Sequence, residues 1–287
     1  TLGAGWDTRQ SLIHPDVHFD AGFSVEQEET GTSYYRFIGR GSESRLLVEG
    51  GENGQGFYLT VEESGDFEFD LHEPLPVQTS GFGNVQADSI SLDVPQLYFT
   101  IEEVETFFDF NRLALTEGIV DGSLRMTGSL QNPELYGTIN VFDIRGSIAL
   151  SPQQFHIPQG TIVFEEHSMR LSRSQLSLGD EKAAVSGGLQ LTRFAPEEYQ
   201  LKIQTLPDNW IPVRYNFGPV DFDGHSALDI VITGDQSEIK AAGDITARNT
   251  SIVLLPEKEK SEVSRQERPA LNVLTDLTII SDRGVEF

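Results

Sequence analysis

Apolar and polar residues alternate along most of the chain. A period of two is typical of a strand that has one apolar face. Each alternating run is about five to nine residues long and ends at Gly, Pro, Asn, Asp or Ser. The runs include Phe57, Leu59 and Val61; Phe67, Phe69 and Leu71; Ile90, Leu92 and Val94; Leu97, Phe99 and Ile101; Leu201 and Ile203; and Leu277 and Ile279. The pattern predicts about twenty half-buried strands in a meandering sheet.

One segment departs from this period. In TIEEVETFFDF the apolar residues are spaced three and four apart, with acidic residues between them. That spacing places the apolar side chains on one side of a helix. It predicts a single short helix from Ile101 to Asp109.

Two long segments share one arrangement of glycines. Residues 118–140 read GIVDGSLRMTGSLQNPELYGTIN, and residues 223–247 read DGHSALDIVITGDQSEIKAAGDITA. Gly128 and Gly137 are separated by the same nine positions as Gly234 and Gly243. Gly122 is taken as the counterpart of Gly224. Such a repeat indicates a repeated structural unit, which a single hairpin would not explain.

The glycines fall on the apolar side of their predicted strands. Glycine adds no packing there, but it allows the backbone to bend sharply or to approach another strand closely. A sheet that is folded lengthwise needs such positions along its crease. The predicted crease glycines are Gly122, Gly128, Gly137, Gly224, Gly234 and Gly243. About twenty strands exceed one sandwich or barrel, so the repeat favours a single sheet that grows along an axis.

The composition excludes several classes of partner. Lys and Arg number 20 against 45 Asp and Glu, which gives a formal net charge of -25. This charge disfavours nucleic acid and broad contact with an anionic bilayer surface. The chain has no cysteine, which excludes disulfides, thiolate metal sites and cysteine nucleophiles. It contains no apolar run of 18 residues, begins without Met and ends within the alternating run TDLTIISDRGVEF, so we expect a piece of a larger protein.

The sequence holds little that predicts chemistry. His14, Asp16, His18 and Asp20 alternate in HPDVHFD and could converge on a divalent ion, but a polar outer strand face near the terminus is the favoured interpretation. No Ser lies in a nucleophile-elbow context. Adjacent acidic pairs such as Glu165 and Glu166 point to opposite faces of a strand and cannot act together as acid and base. No catalytic, cofactor-binding or metal-ligating residue is assigned.

The remaining candidate for function is the apolar face itself. In a compact domain this face would be an ordinary core. In a sheet folded into an open trough it would form a continuous apolar groove, which is costly in water unless something covers it. The predicted lining residues are Leu124, Met126, Ile139, Val141, Leu189, Leu191, Leu228, Ile230, Ile232, Ile239 and Ile245.

The ordered glycine repeats resemble the C-terminal region of the TamB family of translocation and assembly module proteins. Gly122, Thr127 and Gly128, then the Asn132-Pro133 turn and Gly137, follow the cadence of that family. The second copy keeps the glycines and Thr233 but lacks the proline. The likeness covers about half the chain, from Gly118 to Val253.

The resemblance implies an elongated β-taco, which is a U-shaped, solenoid-like sheet with an apolar interior. It implies a non-catalytic segment in the periplasm of a diderm bacterium, within a protein anchored in the inner membrane by parts outside this chain. The related AsmA-like and bridge-like lipid-transfer proteins share this design. The implied roles are phospholipid transport between the two membranes, outer-membrane protein assembly, or both. The implied partners are acyl chains or nascent outer-membrane strands, and a β-barrel of the TamA type.

The predicted organisation has four parts. Residues 1–117 form β repeats that end in the short helix, and residues 118–255 form the TamB-like repeats. Residues 256–269 are charged and almost free of apolar residues, which predicts a mobile loop. Residues 270–287 begin a further repeat.

Two other functions remain open. The first is a passive adhesin or passenger-type solenoid with a closed core. The second is a glycan-cleaving β-solenoid, which would need a cleft lined by carboxylates on the outside of the sheet.

Overall fold

The structure, a computed structural model, describes residues 18–27, 31–104, 113–148, 153–192, 195–216, 220–235, 238–254 and 272–286. Within these ranges the chain forms 18 strands. Their bounds are β1 (His18–Gln27), β2 (Gly31–Gly41), β3 (Arg45–Glu52), β4 (Gln55–Glu62), β5 (Asp66–Leu71), β6 (Val77–Gln86), β7 (Ser89–Thr100), β8 (Leu113–Ser129), β9 (Asn132–Ile148), β10 (Phe155–Glu165), β11 (Ser168–Leu178), β12 (Glu181–Thr192), β13 (Ala195–Thr205), β14 (Ile211–Asn216), β15 (Val220–Gly234), β16 (Glu238–Leu254), β17 (Asn272–Ser281) and β18 (Val285–Glu286).

The prediction of an all-β fold is confirmed. All 18 strands belong to one open sheet, and the described residues contain one helix, α1 (Ile101–Val104). Ile101 and Val104 are buried, as their helical spacing predicts. The rest of the predicted helix, residues 105–109, and the charged segment 256–269 lie outside the described residues.

The chain divides into two compact units. Unit 1 comprises residues 1–108 and 120–139, and unit 2 comprises residues 109–119 and 140–287. The boundary passes through the β8–β9 hairpin, whereas the repeats were predicted to begin at residue 118. In unit 1, strands β1 to β7 form an antiparallel meander in which each strand pairs with the next. This is the topology that short turns between alternating strands favour.

Unit 2 is also built from antiparallel neighbours, except that its last two strands, β17 and β18, are parallel to β16. Strand β10 pairs with β11, β11 with β12, and β12 with β13. Both β13 and β14 pair with β15, which pairs with β16. Strand β17 then pairs with β16 in parallel.

The glycine repeat corresponds to a repeated hairpin. Strands β9 and β16 start and end 106 positions apart (132 to 238 and 148 to 254), and the positive backbone φ angles of 51° at Asp143 and 49° at Asn249 keep the same offset. At this offset Gly224 corresponds to Gly118, so the match with Gly122 was wrong. Both glycines face the same place on the partner strand, since a Cβ would contact Ile144 at Gly118 and Thr250 at Gly224.

The strands of these hairpins are longer than predicted. β8, β9 and β16 each contain 17 residues and β15 contains 15. The prediction of short strands failed because glycine was interpreted as punctuation. Here Gly137 and Gly243 lie within continuous strands, at φ angles of 138° and 131°.

The core of unit 2 lies toward one set of strand ends. Phe222, Ala247 and Ile252 form a buried cluster, against which Val213, Ile245 and Val285 pack. These are apolar residues of neighbouring strands, and their burial supplies the hydrophobic free energy that holds this end of the sheet together.

This core contains a buried hydroxyl that forms no hydrogen bond with any described residue. Ser226 is fully buried, and among the described residues its Oγ forms no hydrogen bond. An unsatisfied buried hydroxyl costs about 1–3 kcal/mol. We therefore expect Ser226→Ala to raise the free energy of unfolding by about 1–2 kcal/mol in chemical denaturation.

A matched variant provides the control for that experiment. Thr250 is equally buried, but its Oγ1 donates to the carbonyl of Arg248 at 2.9 Å. Thr250→Val should therefore lower the free energy of unfolding by about 1 kcal/mol. Destabilisation by both substitutions would show that Ser226 has a partner in solution.

Candidate functional site

Unit 2 carries rows of apolar side chains that cross the sheet. Leu201 pairs with Ile232, which pairs with Ala241, and residues in register point to the same side of a sheet. The next row contains Ile203 and Ile230. We define the apolar face of unit 2 as the half-buried residues Met169, Leu171, Leu189, Leu201, Ile203, Leu228, Ile230, Ile232, Ile239 and Ile245.

The exposure of this face changes along the strands. Toward one end it passes into the buried core, where Val185 is 7% exposed and Ala247 is fully buried. Toward the other end every residue of the apolar face of unit 2 keeps part of its surface accessible. The large aliphatic side chains there pack beside one another and remain in reach of solvent.

The structure brings most of the predicted lining residues together. Leu189, Leu228, Ile230, Ile232, Ile239 and Ile245 belong to the rows. Val141 lies beside Gly160 of β10, with its Cγ2 2.9 Å from where a Cβ would stand, and Leu191 continues the same side of β12. Leu124, Met126 and Ile139 lie on the hairpin section that belongs to unit 1. All eleven side chains are half-buried.

The predicted crease glycines are places of close backbone approach. A Cβ on Gly137 would lie 2.2 Å from the carbonyl oxygen of Ser123, and one on Gly243 would lie 2.2 Å from that of Asp229. A Cβ on Gly122 would lie 2.4 Å from the Thr138 carbonyl oxygen. Because real Cβ atoms are not found at such distances, these positions admit only glycine.

The other predicted glycines have different surroundings. Gly224 lies where the β15–β16 register shifts, directly opposite Thr250. Gly234 is covered by the ring of Tyr199. A Cβ on Gly128 would meet no atom closer than 3.8 Å. Glycine is favoured there because its φ of 101° is an angle that residues with a Cβ rarely adopt.

Unit 1 has an apolar face that was not assigned to the predicted groove. Phe19, Val48, Leu59 and Phe69 are linked through the register of β1 to β5, with Gly39 between Phe19 and Val48 and with Gly81 of β6 at the end of the row. Phe37 and Phe57 form an edge-to-face pair with ring centroids 5.4 Å apart. The alternation had predicted these strands, and the ring contacts indicate a more aromatic face than that of unit 2.

Unit 2 has a cavity of about 850 Å³ near the β10–β11 and β15–β16 turns, and its lining includes Met169 and Leu189 of the apolar face as well as polar residues. Arg170, Gly188, Gln200, Thr233 and Lys240 lie in one row across its wall. Its lining also includes four carboxylates, namely Glu165, Glu198, Asp235 and Glu238. This is a carboxylate-lined cleft of the kind that the glycan-cleaving alternative requires.

Only part of the candidate metal cluster is described. His14 and Asp16 lie outside the described residues, and His18 begins β1. Both oxygens of Asp20 accept hydrogen bonds from Arg36, at 2.9 and 2.5 Å, which lowers the pKa of that carboxyl. Within the described ranges, no group of three or more His, Cys, Asp or Glu side chains could hold a metal ion.

Comparisons with known proteins return no relative. No family model, no curated protein and no solved structure matches the chain. Across the part of the chain that is described, no helix has the length and apolar character required to cross a membrane.

Proposed function

We propose that this chain is a non-catalytic segment that holds lipid acyl chains on the apolar face of unit 2. One observation carries the proposal: the large aliphatic side chains of that face are half-buried, although they stand in continuous rows. A passive solenoid with a closed core would bury the same residues. The half-burial of these side chains therefore favours an open groove over the adhesin with a closed core.

The energetics suit hydrocarbon as the occupant. An acyl chain of roughly 15 methylenes gains about 12 kcal/mol when it is removed from water, at about 0.8 kcal/mol for each methylene. The rows cross seven strands, namely β10 to β13 and β15 to β17, and at about 4.8 Å between neighbouring strands they extend on the order of 29 Å. Aliphatic side chains make no directional demands on their ligand, which suits a surface along which a lipid moves.

The resemblance to the TamB family implies a cellular location and a cargo for this surface. We propose that it lies in the periplasm of a diderm bacterium, in a protein anchored in the inner membrane, and carries phospholipid between the membranes. Assembly of outer-membrane proteins with a TamA-type β-barrel is the second role that the resemblance implies. A nascent strand would pair with a sheet edge as well as contact the face.

Mass spectrometry under native conditions tests the proposal. The purified chain should retain phospholipid in a ratio near one per molecule, and delipidated protein should rebind vesicle phospholipid. A chain that purifies without lipid and does not take it up from vesicles would contradict the proposal.

The carboxylates that line the cavity of unit 2 favour one other function. If its carboxylates cleave glycans, Glu198→Gln should abolish release of reducing sugars from periplasmic or extracellular polysaccharides while leaving lipid binding unchanged. Equal activity of the variant and the original chain, or no activity in either, would exclude this alternative.

A further inference from the structure

A smaller cavity, of about 450 Å³, lies beside the loop that joins β13 to β14 in unit 2. It shares no lining residue with the cavity near the β10–β11 and β15–β16 turns. Its lining includes Arg173, Gln204, Asn209, Trp210 and Arg248. Its volume falls within the range of about 300–1,000 Å³ that is typical of small-molecule sites.

Hydrogen bonds to β12 hold the loop on one side of this cavity. The backbone N–H of Trp210 donates to a carboxylate oxygen of Glu181 at 2.8 Å, and that of Leu206 donates to the carbonyl of Lys182 at 3.0 Å. The backbone N–H of Lys182 donates in turn to the side-chain oxygen of Asn209 at 2.7 Å. This wall is therefore ordered without a ligand, which lowers the entropic cost of binding one.

The guanidinium of Arg248 is held in place on another side of the cavity. It lies over the indole ring of Trp210, 3.5 Å from the ring centroid, and its Nε donates to a carboxylate oxygen of Asp282 at 2.6 Å. The ring contact and the ion pair together restrict the side chain. Because the bond to Asp282 uses Nε, the two Nη groups remain to bind a carboxylate.

Both arginines lie at irregularities of strand pairing. On β11 one extra residue is inserted between Leu171 and Ser174, which places Arg173 in a bulge. On β16 one extra residue follows Arg248, where Asn249 has a φ of 49°. Bulges redirect side chains and are frequent next to active sites.

The first hairpin shows that this backbone geometry does not itself require arginine. Asp143, 106 positions before Asn249, has a φ of 51°, and Phe142 occupies the position that corresponds to Arg248. The hairpin therefore accepts an apolar side chain there, and the repeated fold does not account for the cation of β16.

The charge of this cavity is opposite in sign to that of the chain. Acidic residues outnumber basic residues by 45 to 20 overall, but the lining contains two arginines and one carboxylate, Asp208. Arg173 is exposed and forms no hydrogen bond or ion pair with any described residue. A guanidinium without a partner beside one that is fixed favours an anionic ligand, above all a carboxylate.

The same lining offers acceptors for hydroxyl groups. The side-chain amide of Gln204 donates to Asp229 at 3.1 Å, which leaves its oxygen as an acceptor. The carboxylate of Asp208 accepts hydrogen bonds as well. Trp210 is half-buried, so part of its surface is accessible for apolar contact. The lining thus combines cations, acceptors and an aromatic ring.

We propose that this cavity binds an acidic sugar, meaning a sugar ring that carries a carboxylate, such as a hexuronate. The carboxylate pairs with Arg173 and with the Nη groups of Arg248. Hydroxyl groups donate to Asp208 and to the amide oxygen of Gln204, and the C–H surface of the ring packs against Trp210. The site is separate from the apolar face of unit 2 and does not depend on what that face binds.

Isothermal titration calorimetry with galacturonate, galactose and acetate tests the class of ligand. Galacturonate should bind at least tenfold more tightly than either of the others, because galactose lacks the carboxylate and acetate lacks the ring and its hydroxyls. Acetate binding as tightly as galacturonate would show that charge alone is recognised. Galactose binding as tightly would show that the arginines take no part. Either result, or no binding of galacturonate, would overturn the proposal.

Two arginine variants on the same strand locate the site. Arg173→Gln removes an exposed guanidinium and should weaken galacturonate binding at least tenfold while leaving thermal unfolding unchanged. Arg170→Gln removes the same charge from β11 outside this cavity and should leave binding unchanged. Equal weakening by both variants would mean that overall charge attracts the ligand, and the assigned site would be wrong. Phospholipid uptake by Arg173→Gln should match that of the original chain, so this proposal and the proposed function fail separately.

Discussion

Replacing Gly243 with valine is expected to lower the free energy of unfolding by at least about 3 kcal/mol. The backbone at Gly243 has a φ of 131°, which is strained for a residue with a Cβ. A Cβ there would also lie 2.2 Å from the carbonyl oxygen of Asp229 on the neighbouring strand, and backbone cannot move aside as a flexible side chain can. Chemical denaturation monitored by circular dichroism measures the loss.

A neighbouring glycine provides the control. Gly188 has open space, with the Met169 carbonyl oxygen 3.6 Å from where its Cβ would stand. Gly188→Ala should be neutral or raise stability by about 0.4–1 kcal/mol, because alanine restricts the unfolded chain. If Gly243→Val proved as harmless as Gly188→Ala, the close approach of β15 and β16 at Gly243 would be wrong.

Replacing Ile230 with glutamate is expected to reduce phospholipid binding at least tenfold while the sheet stays folded. Ile230 is half-buried in the middle of the apolar face of unit 2, so a carboxylate there can reach water and should cost no more than about 2 kcal/mol of stability. The same carboxylate places a charge against any bound hydrocarbon, which is strongly unfavourable. Photo-crosslinking to labelled phospholipid measures the binding, and thermal unfolding measures the fold.

Two further variants separate this account from a closed core. Val231→Glu introduces the same charge one residue along β15, on the polar side of the sheet, and should leave lipid binding unchanged. Ile252→Glu introduces it at a position that is 7% exposed and should unfold unit 2. If Ile230→Glu unfolds the protein as Ile252→Glu does, the apolar face is a core and the groove does not exist.

Alternation was sufficient to predict the fold class and the side to which each residue points. The period of two placed Ile230, Ile232 and Leu228 on one face, and the register of the sheet keeps them there. Periodicity does not determine which strands are neighbours in the sheet. The parallel pairing of β16 with β17 joins strands that are separated by 17 residues of chain, and no local pattern encodes such a contact.

Glycine was the least predictable residue. In unit 1, the sequence GFGNV is typical of a turn, yet Gly81 and Gly83 both lie within β6. A Cβ on Gly81 would overlap the ring of Phe69, and one on Gly83 would approach the ring of Phe67. A Cβ on Gly83 would also lie 2.1 Å from the carbonyl oxygen of Ser91 on β7. The partners that require these glycines lie on β5 and β7, so their role follows from strand pairing and cannot be read from the local sequence.

The exposed fraction of the groove residues also lay beyond sequence reasoning. A closed core and an open groove use the same aliphatic residues at the same spacing, because both need one apolar face. In the structure Phe222 and Ala247 are enclosed, whereas Ile232 and Ile239 are half-buried, and it is this difference in burial that the proposed groove rests on.

A cysteine-labelling scan tests the open apolar face most directly, since the chain contains no cysteine of its own. Single cysteines at Leu201, Ile230 and Ile232 should react with a maleimide in the native protein, and added phospholipid should lower the rate of that reaction. Cysteines at Ala247 and Ile252 should react at least about a hundredfold more slowly, because their labelling requires local unfolding. If the first set reacts as slowly as the second, the face is closed and the proposed function is contradicted.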